Sequence, residues 1–232
     1  MKFFLSFLFS AVFAAVSMAQ TTCQGYFAFD NGATLEYSTY DKKGALQLQS
    51  VQKIVKVENT ADGTVEAVID TKTTDSKGKS PMEGQFKVRC KDNTLIMDMS
   101  SMLGPQGASA FANLEVSITG DDLQLPANLT PGQTLPDASA QIKAGTGGVS
   151  LITMNMTIRD RKVVAKETLQ TPAGSFECVK MTYVAETKML GTKAIETAIW
   201  YADGVGMVRQ ESYDKKGALD SKMELTKFVK GK

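Results

Sequence analysis

The chain has 232 residues, of which 43% are hydrophobic and 22% are charged, a composition typical of a globular protein rather than a disordered or fibrous one. Its 26 basic and 25 acidic residues nearly cancel, so the protein has little net charge to attract a polyanion and we expect no nucleic-acid partner. The chain contains no histidine, the side chain most often used as a general base near neutral pH and as a metal ligand.

The sequence also lacks the usual combinations of catalytic residues. We find no nucleophile paired with a base, no carboxylate pair at a recognisable spacing and no glycine-rich loop for phosphate. We therefore expect that the protein is not an enzyme and that it has no catalytic residues, no metal site and no cofactor.

Residues 1–19 predict a secretory signal peptide. Lys2 precedes an apolar run over residues 3–16, and Ser17 and Ala19 place small side chains at the two positions that a signal peptidase reads. A retained membrane anchor is the alternative, but this run is shorter than the roughly 20 apolar residues that cross a bilayer. We expect cleavage after Ala19 and one soluble all-β domain over residues 20–232, in the periplasm or outer envelope and not spanning the membrane.

Export would place three cysteines, Cys23, Cys90 and Cys178, in an oxidising compartment. Three thiols allow three alternative bridges with one thiol left over, and the sequence does not choose between them. Cys90 continues the apolar parity of Phe86, and Cys178 shares a face with Phe176. Both cysteines are therefore expected to be buried.

Most of the chain predicts β-strands, because apolar and polar residues alternate with a period of two. The alternation is clearest at residues 65–70, 86–91, 114–119 and 152–158. One apolar and one polar face is typical of an antiparallel sheet with one solvated side. Between Leu46 and Val57 the apolar parity changes, which predicts a β-bulge near Gln49 and Ser50 that curves the sheet.

Three segments with the pattern Asp-x-Lys-Gly predict hairpin turns, at residues 41–44, 75–78 and 214–217. An Asp that accepts a backbone hydrogen bond, two solvated residues and a glycine with positive φ make a type I turn closed by a glycine bulge. Turn signals at this frequency predict about 11 to 14 strands. We expect an all-β fold, a single antiparallel meander forming a curved sheet, a half-barrel or a barrel.

Two segments interrupt the alternation. Residues 105–113 predict one short helix, because Pro105 can occupy a first helical turn and alanines follow it. Residues 125–137 contain three of the six prolines and predict an irregular loop that could cross one end of a barrel.

Two resemblances to known families are present, the first over most of the mature chain and the second over its last strands. Residues 171–180 and 200–217, with the upstream segments 37–44 and 128–137, resemble the TapB-like family of exported, uncharacterised proteins of Bacteroides-type bacteria. That resemblance implies export but no particular activity. The last strands, from Trp200 to Phe228, are similar to the closing strands of LolA-like periplasmic lipoprotein carriers, which hold an acyl chain in an unclosed β-barrel. This similarity implies a half-barrel with an apolar interior.

Five residues are candidates to line an apolar ligand: Met97, Met99, Met154, Met156 and Trp200. The methionines lie on the predicted inward faces of strands, where a flexible thioether can adapt to a variable guest or fill the core. Trp200 and Tyr201 are neighbours in a strand, so one is expected in the core and the other at solvent.

Two functions are compatible with these features. The first is a binding or carrier module that holds an apolar small molecule or lipid inside the curved sheet. The second is a structural or assembly module that contacts other envelope proteins through sheet edges and loops. An internal apolar cavity would favour the first.

Overall fold

The computed structural model describes residues 23–99, 111 and 113–232. The predicted signal peptide lies outside these residues, as does the predicted helix over 105–113 apart from Phe111 and Asn113. In the part of the chain that is described, no helix is long and apolar enough to cross a membrane.

Thirteen antiparallel strands form one sheet, which confirms the predicted all-β fold. The strands are β1 (Thr34–Asp41), β2 (Leu46–Asn59), β3 (Val65–Asp75), β4 (Met82–Lys91), β5 (Thr94–Asp98), β6 (Glu115–Gly120), β7 (Asp122–Pro126), β8 (Ala138–Thr146), β9 (Val149–Thr171), β10 (Gly174–Lys188), β11 (Thr192–Ala202), β12 (Gly206–Tyr213) and β13 (Leu219–Val229). Their order in the sheet is β6-β8-β9-β10-β11-β12-β13-β1-β2-β3-β4-β5-β7.

The sheet closes almost completely where β6 and β7 meet. β6 pairs with β8 at one edge and β7 pairs with β5 at the other, although only Asp121 separates the two strands. A Cβ atom at Gly120 would lie 2.2 Å from the carbonyl oxygen of Ser139, so only glycine allows this close approach. The Asp121 carboxylate accepts hydrogen bonds from the N–H and hydroxyl of Ser139, at 3.1 and 2.9 Å. The chain thus departs from a simple meander here and forms a nearly closed barrel.

The three predicted hairpin turns are confirmed. At residues 41–44, Asp41 Oδ1 accepts two backbone N–H groups of the turn, at 2.8 and 2.9 Å, and Gly44 has a φ of 78°. The same pattern of Asp hydrogen bonds and positive glycine φ recurs at residues 75–79 and 214–218. These turns therefore follow from local sequence alone.

The bulge predicted in β2 lies elsewhere in the strand. Inward-facing positions alternate regularly from the start of β2, and the pairing shifts by one residue at Gln47 against β1 and at Val55 against β3. The position near Gln49 and Ser50 is wrong because the prediction took Val51 to be inward-facing. Val51 is instead 40% exposed on the outer face.

Apolar clusters occupy both faces of the sheet. The larger cluster fills the barrel interior. The smaller lies on the outer face of β10, β11 and β12 and is built on Cys178, Trp200 and Val208. Cys90 and Cys178 are both buried, as predicted. Cys90 forms a disulfide with Cys23, and Cys178 is a free thiol.

Candidate functional site: a cavity with a buried arginine

A cavity of about 200 Å³ lies inside the barrel. Strands from both halves of the sheet and the N-terminal segment around Tyr26 and Phe27 contribute to its walls. The apolar lining consists of Phe27, Leu35, Phe86, Val88, Leu95, Met97, Leu123, Ile158, Met181, Ile199, Val205 and Met207. The polar side chains in the lining belong to Arg161, Gln52, Gln210 and four tyrosines. A few polar groups in an apolar wall are typical of a small-molecule site.

Arg161 reaches this cavity because of a bulge in β9. Up to Ile158 the buried positions of the strand are even-numbered, and from Arg161 to Val163 they are odd-numbered. The change occurs at Asp160, which has a φ of 58° and lies where the pairing with β10 shifts by one residue. Aspartate is one of the few residues that tolerate this left-handed conformation. Without the extra residue, the side chain of Arg161 would point to solvent.

The guanidinium of Arg161 is held by backbone carbonyls rather than by a carboxylate. Nη1 donates to the carbonyl of Pro136 at 2.8 Å, and Nη2 donates to the carbonyl of Gln124 at 2.7 Å. Nε is buried and has no hydrogen-bond partner among the described residues. Arg161 is only 2% exposed, so the cavity wall contains a desolvated positive charge.

Burial lowers the pKa of Arg161, while electrostatic interactions with Tyr201, Tyr183 and Asp137 oppose that shift. An arginine nevertheless stays protonated in a protein. Asp137 is exposed and accepts a hydrogen bond from the backbone N–H of Asp160 at 3.1 Å. No ion pair joins Arg161 to a carboxylate within the described ranges.

The proline-rich segment over residues 125–137 holds Arg161 in the cavity wall through hydrogen bonds. The predicted irregular loop over residues 125–137 is shorter in the structure, because Leu125 and Pro126 belong to β7 and pair with β5. The remainder lies along β9 just before β8 begins, with the Leu135 N–H donating to the Arg161 carbonyl at 2.9 Å. Val163 exchanges two further backbone bonds with this segment, accepting from Gly132 and donating to Gln133, both at 2.8 Å. The arginine backbone and side chain are therefore both fixed.

Three buried tyrosines line the same cavity. Burial raises the pKa of Tyr183 to about 12, and it also raises the pKa of Tyr37 and of Tyr201. All three hydroxyls therefore remain protonated near neutral pH and can donate hydrogen bonds. The Tyr37 hydroxyl donates to the carbonyl of Met207 at 3.0 Å.

The predicted ligand-lining methionines lie in different surroundings. Met97 lines the cavity. Met99 is fully buried in the interior cluster, Met156 packs against that cluster, and Met154 is half-buried in β9. Ligand contact by these side chains stays a prediction.

Trp200, the fifth candidate, lies on the opposite face of the sheet from the cavity. Its ring packs in the outer cluster with Cys178, the Lys180 ammonium lies 4.6 Å from the ring centroid, and the indole N–H donates to Glu167 Oε1 at 2.6 Å. Tyr201 takes the inward position and lines the cavity. The prediction that one of the two meets solvent is wrong, because neighbouring side chains cover the outer face at this point and both residues are buried.

Sequence analysis did not identify Arg161, Tyr37 or Tyr183 as site residues. The one sequence signal for Arg161 is the change of apolar parity between Ile158 and Val163, across the segment Arg-Asp-Arg. The tyrosines carry no such signal, because alternating aromatic residues are common in any sheet.

With this geometry established, the chain can be compared with known proteins. Residues 30–225 match the DUF3108-like family. The chain belongs to the DUF3108-like family. A search of the curated proteins finds no match for this DUF3108-like chain.

Two solved structures share the fold of this DUF3108-like protein. One is a protein from Bacteroides fragilis NCTC 9343 that is named as an exported protein with a YmcC-like fold. It is 25% identical to this chain, with a TM-score of 0.72, and the match covers 90% of this chain and 100% of that chain. The other is a protein from Parabacteroides distasonis ATCC 8503 that is named as a lipoprotein. It is 28% identical to this chain, with a TM-score of 0.74, and the match covers 90% of this chain and 100% of that chain. These comparisons do not show the similarities to the TapB-like family or to LolA-like carriers.

Proposed function

We propose that this DUF3108-like protein is an exported, non-enzymatic protein of the cell envelope that binds an apolar, lipid-like ligand inside its barrel. The observation that carries the proposal is the cavity. Protein interiors leave few voids larger than a water molecule, yet about 200 Å³ remain open among mostly apolar side chains on the inner face of this barrel. The predicted signal peptide, and relatives described in terms of export and lipid attachment, support an envelope location.

The size of the cavity limits the ligand. Sites for drug-sized ligands occupy about 300 to 1,000 Å³, so a cavity of about 200 Å³ suits a single short acyl chain. Burial of about six methylenes contributes about 5 kcal/mol before the costs of association. Apolar transfer alone therefore supports binding in the millimolar range at best.

Methionine methyl groups offer a direct test. We expect 1-octanol, an uncharged eight-carbon probe, to shift the ¹³C-methyl NMR signals of Met97, Met181 and Met207, which line the cavity. Met189, half-exposed after the end of β10, is the internal control and should not shift. Saturable binding that moves the cavity methionines supports the proposal, and a titration without cavity shifts up to the solubility of octanol contradicts it.

A substitution that fills the cavity, compared with the same substitution on the outer face, gives a second test of the site. Val88→Phe adds volume at a lining position, whereas Val51→Phe adds the same volume on the outer face of β2. Octanol binding should be lost in the first variant and kept in the second. Overpacking costs about 1 to 3 kcal/mol, so thermal unfolding of both variants establishes that they are folded.

Exposed apolar hairpin tips favour the assembly module as the second candidate. Leu190 is 99% exposed between β10 and β11, and Val149 and Leu151 of the neighbouring β8–β9 hairpin are also exposed. The two hairpins lie at the same end of the barrel, because Lys188 pairs with Asn155. Cross-linking in cells should then capture a partner protein with the natural chain and not with Leu190→Ser.

A further inference from the structure

Arg161 differs from the other arginines of the chain. Each of the other three pairs with a carboxylate. Arg89 pairs with Asp122, Arg159 with Asp160 and Glu186, and Arg209 with Glu224. Arg161 is the most deeply buried of the four and has no carboxylate partner among the described residues. A buried charge without a counter-charge is unfavourable by several kcal/mol, and here two backbone carbonyls are the acceptors that offset this cost.

The hydrogen bonds of Arg161 leave donors free. A guanidinium has five N–H groups, and the two backbone carbonyls of Pro136 and Gln124 accept from Nη1 and Nη2. The buried Nε–H has no partner within the described part of the chain. Nε and an adjacent Nη together form the planar fork that binds a carboxylate through two parallel hydrogen bonds.

The remaining polar groups of the cavity also favour an anion. The hydroxyls of Tyr183 and Tyr201 lie in the same lining and are protonated near neutral pH, so they can donate hydrogen bonds. The rest of the lining is mostly apolar and includes Phe86, Leu95 and Met97. The cavity therefore combines one positively charged group with an uncharged hydrophobic surface.

We propose that the cavity binds a single-chain fatty carboxylate, whose carboxylate pairs with Arg161 and whose acyl chain lies against the apolar wall. This inference rests on the proposed function and specifies its ligand class. A charge-assisted pair would strengthen by about tenfold or more the weak binding expected from a short chain alone.

A ligand series on the unmodified protein tests the carboxylate. Octanoate, 1-octanol and octylamine share an eight-carbon chain and carry a negative, a neutral and a positive head group. We expect octanoate to bind at least about tenfold more tightly than octanol, and octylamine to bind more weakly than octanol. Octanol binding with no advantage for octanoate would overturn this inference and leave the proposed function standing; no binding of either would overturn both.

Two arginine variants locate the anion site. Arg161→Met should remove the advantage of octanoate while octanol still binds. Arg209→Met is the matched control, because Arg209 also has a buried Nε without a partner among the described residues but pairs with Glu224 away from the cavity lining. The control should keep the octanoate advantage, and loss of that advantage in both variants would contradict the assignment.

A direct readout on the unmodified protein does not depend on Arg161→Met, which loses the hydrogen bonds to Pro136 and Gln124. The ¹⁵N signal of the Arg161 Nε–H should shift when octanoate is added to the unmodified protein and should not shift with octanol. The Arg209 Nε–H signal should be unchanged by either. An octanoate-saturated protein in which the Arg161 signal does not move would show that Arg161 is only a structural tie, and would refute the proposal.

Discussion

Two arginines on opposite faces of the sheet, Arg161 buried and Arg209 partly buried, have different surroundings. Arg209, on the outer face, donates to Glu224 at 3.0 Å, and the same carboxylate accepts from Lys222 at 2.9 Å. Arg161, on the inner face, is held only by two backbone carbonyls. The outer arginine has a carboxylate partner, whereas the inner arginine leaves an unbalanced charge in an apolar cavity. We therefore expect the outer face to contribute mainly to stability and the inner face to bind the proposed ligand.

The largest expected effect comes from the outer cluster. Trp200→Ala removes a large side chain that is 4% exposed, together with its hydrogen bond to Glu167, and should lower the free energy of unfolding by about 4 kcal/mol. Octanol affinity should be unchanged. Met97→Ala, on the cavity wall, should cost about 2 kcal/mol and change octanol affinity. Urea unfolding and octanol titration of both variants check this, and weakened octanol binding in the Trp200 variant would remove the distinction between the two faces.

The disulfide is expected to have the next largest effect. Cys23 and Cys90 are 67 residues apart, so the bridge restricts the unfolded chain, and its reduction should lower the free energy of unfolding by about 3 kcal/mol. The bridge also holds the N-terminal segment that brings Tyr26 and Phe27 to the cavity. Octanol should therefore bind more weakly to reduced protein. Unchanged affinity after reduction would show that this segment does not help to form the site.

Removal of the outer counter-charge should have a moderate effect. Glu224→Gln leaves the partly buried Arg209 and Lys222 without a carboxylate and should cost about 2 kcal/mol in unfolding free energy. Glu36→Gln is the control, since Glu36 pairs with Lys227 at solvent-exposed positions and its loss should cost less than about 0.5 kcal/mol. If urea unfolding gave the same loss of unfolding free energy for Glu224→Gln and Glu36→Gln, the Glu224 network would behave as a solvent-exposed one.

The smallest effect concerns the reactivity of Cys178 and changes no stability near neutral pH. Burial is the main cause that raises the pKa of this thiol to about 11. At pH 8 its thiolate fraction is about a hundredfold below that of an ordinary thiol with a pKa near 9. Alkylation of oxidised, native protein should therefore be slow and should become rapid in urea. Because the unfolded thiol ionises first, stability should fall as the pH rises from about 9 toward 11. Rapid labelling at pH 8 without urea would place Cys178 outside the packed outer cluster.

Much of the fold follows from local sequence. Alternation at residues 65–70 and 86–91 predicts strands that the structure contains, and the Asp-x-Lys-Gly turns form with the expected hydrogen bonds. Both features depend on residues within a few positions of one another. The bulge in β2 was misplaced for the opposite reason, because an exposed valine on the outer face is indistinguishable from a buried one in the sequence.

The site depends on contacts between distant parts of the chain. Met97 could be proposed from its strand, but Arg161 enters the cavity only because Asp160 adds a residue to β9 and because Gln124 and Pro136 supply carbonyls 37 and 25 residues away. Strand periodicity reports which residues alternate, and it does not report which of two apolar faces encloses a space. That choice followed from closure of the barrel at Asp121, which sets the inner face around a cavity and leaves Trp200 on the outer face.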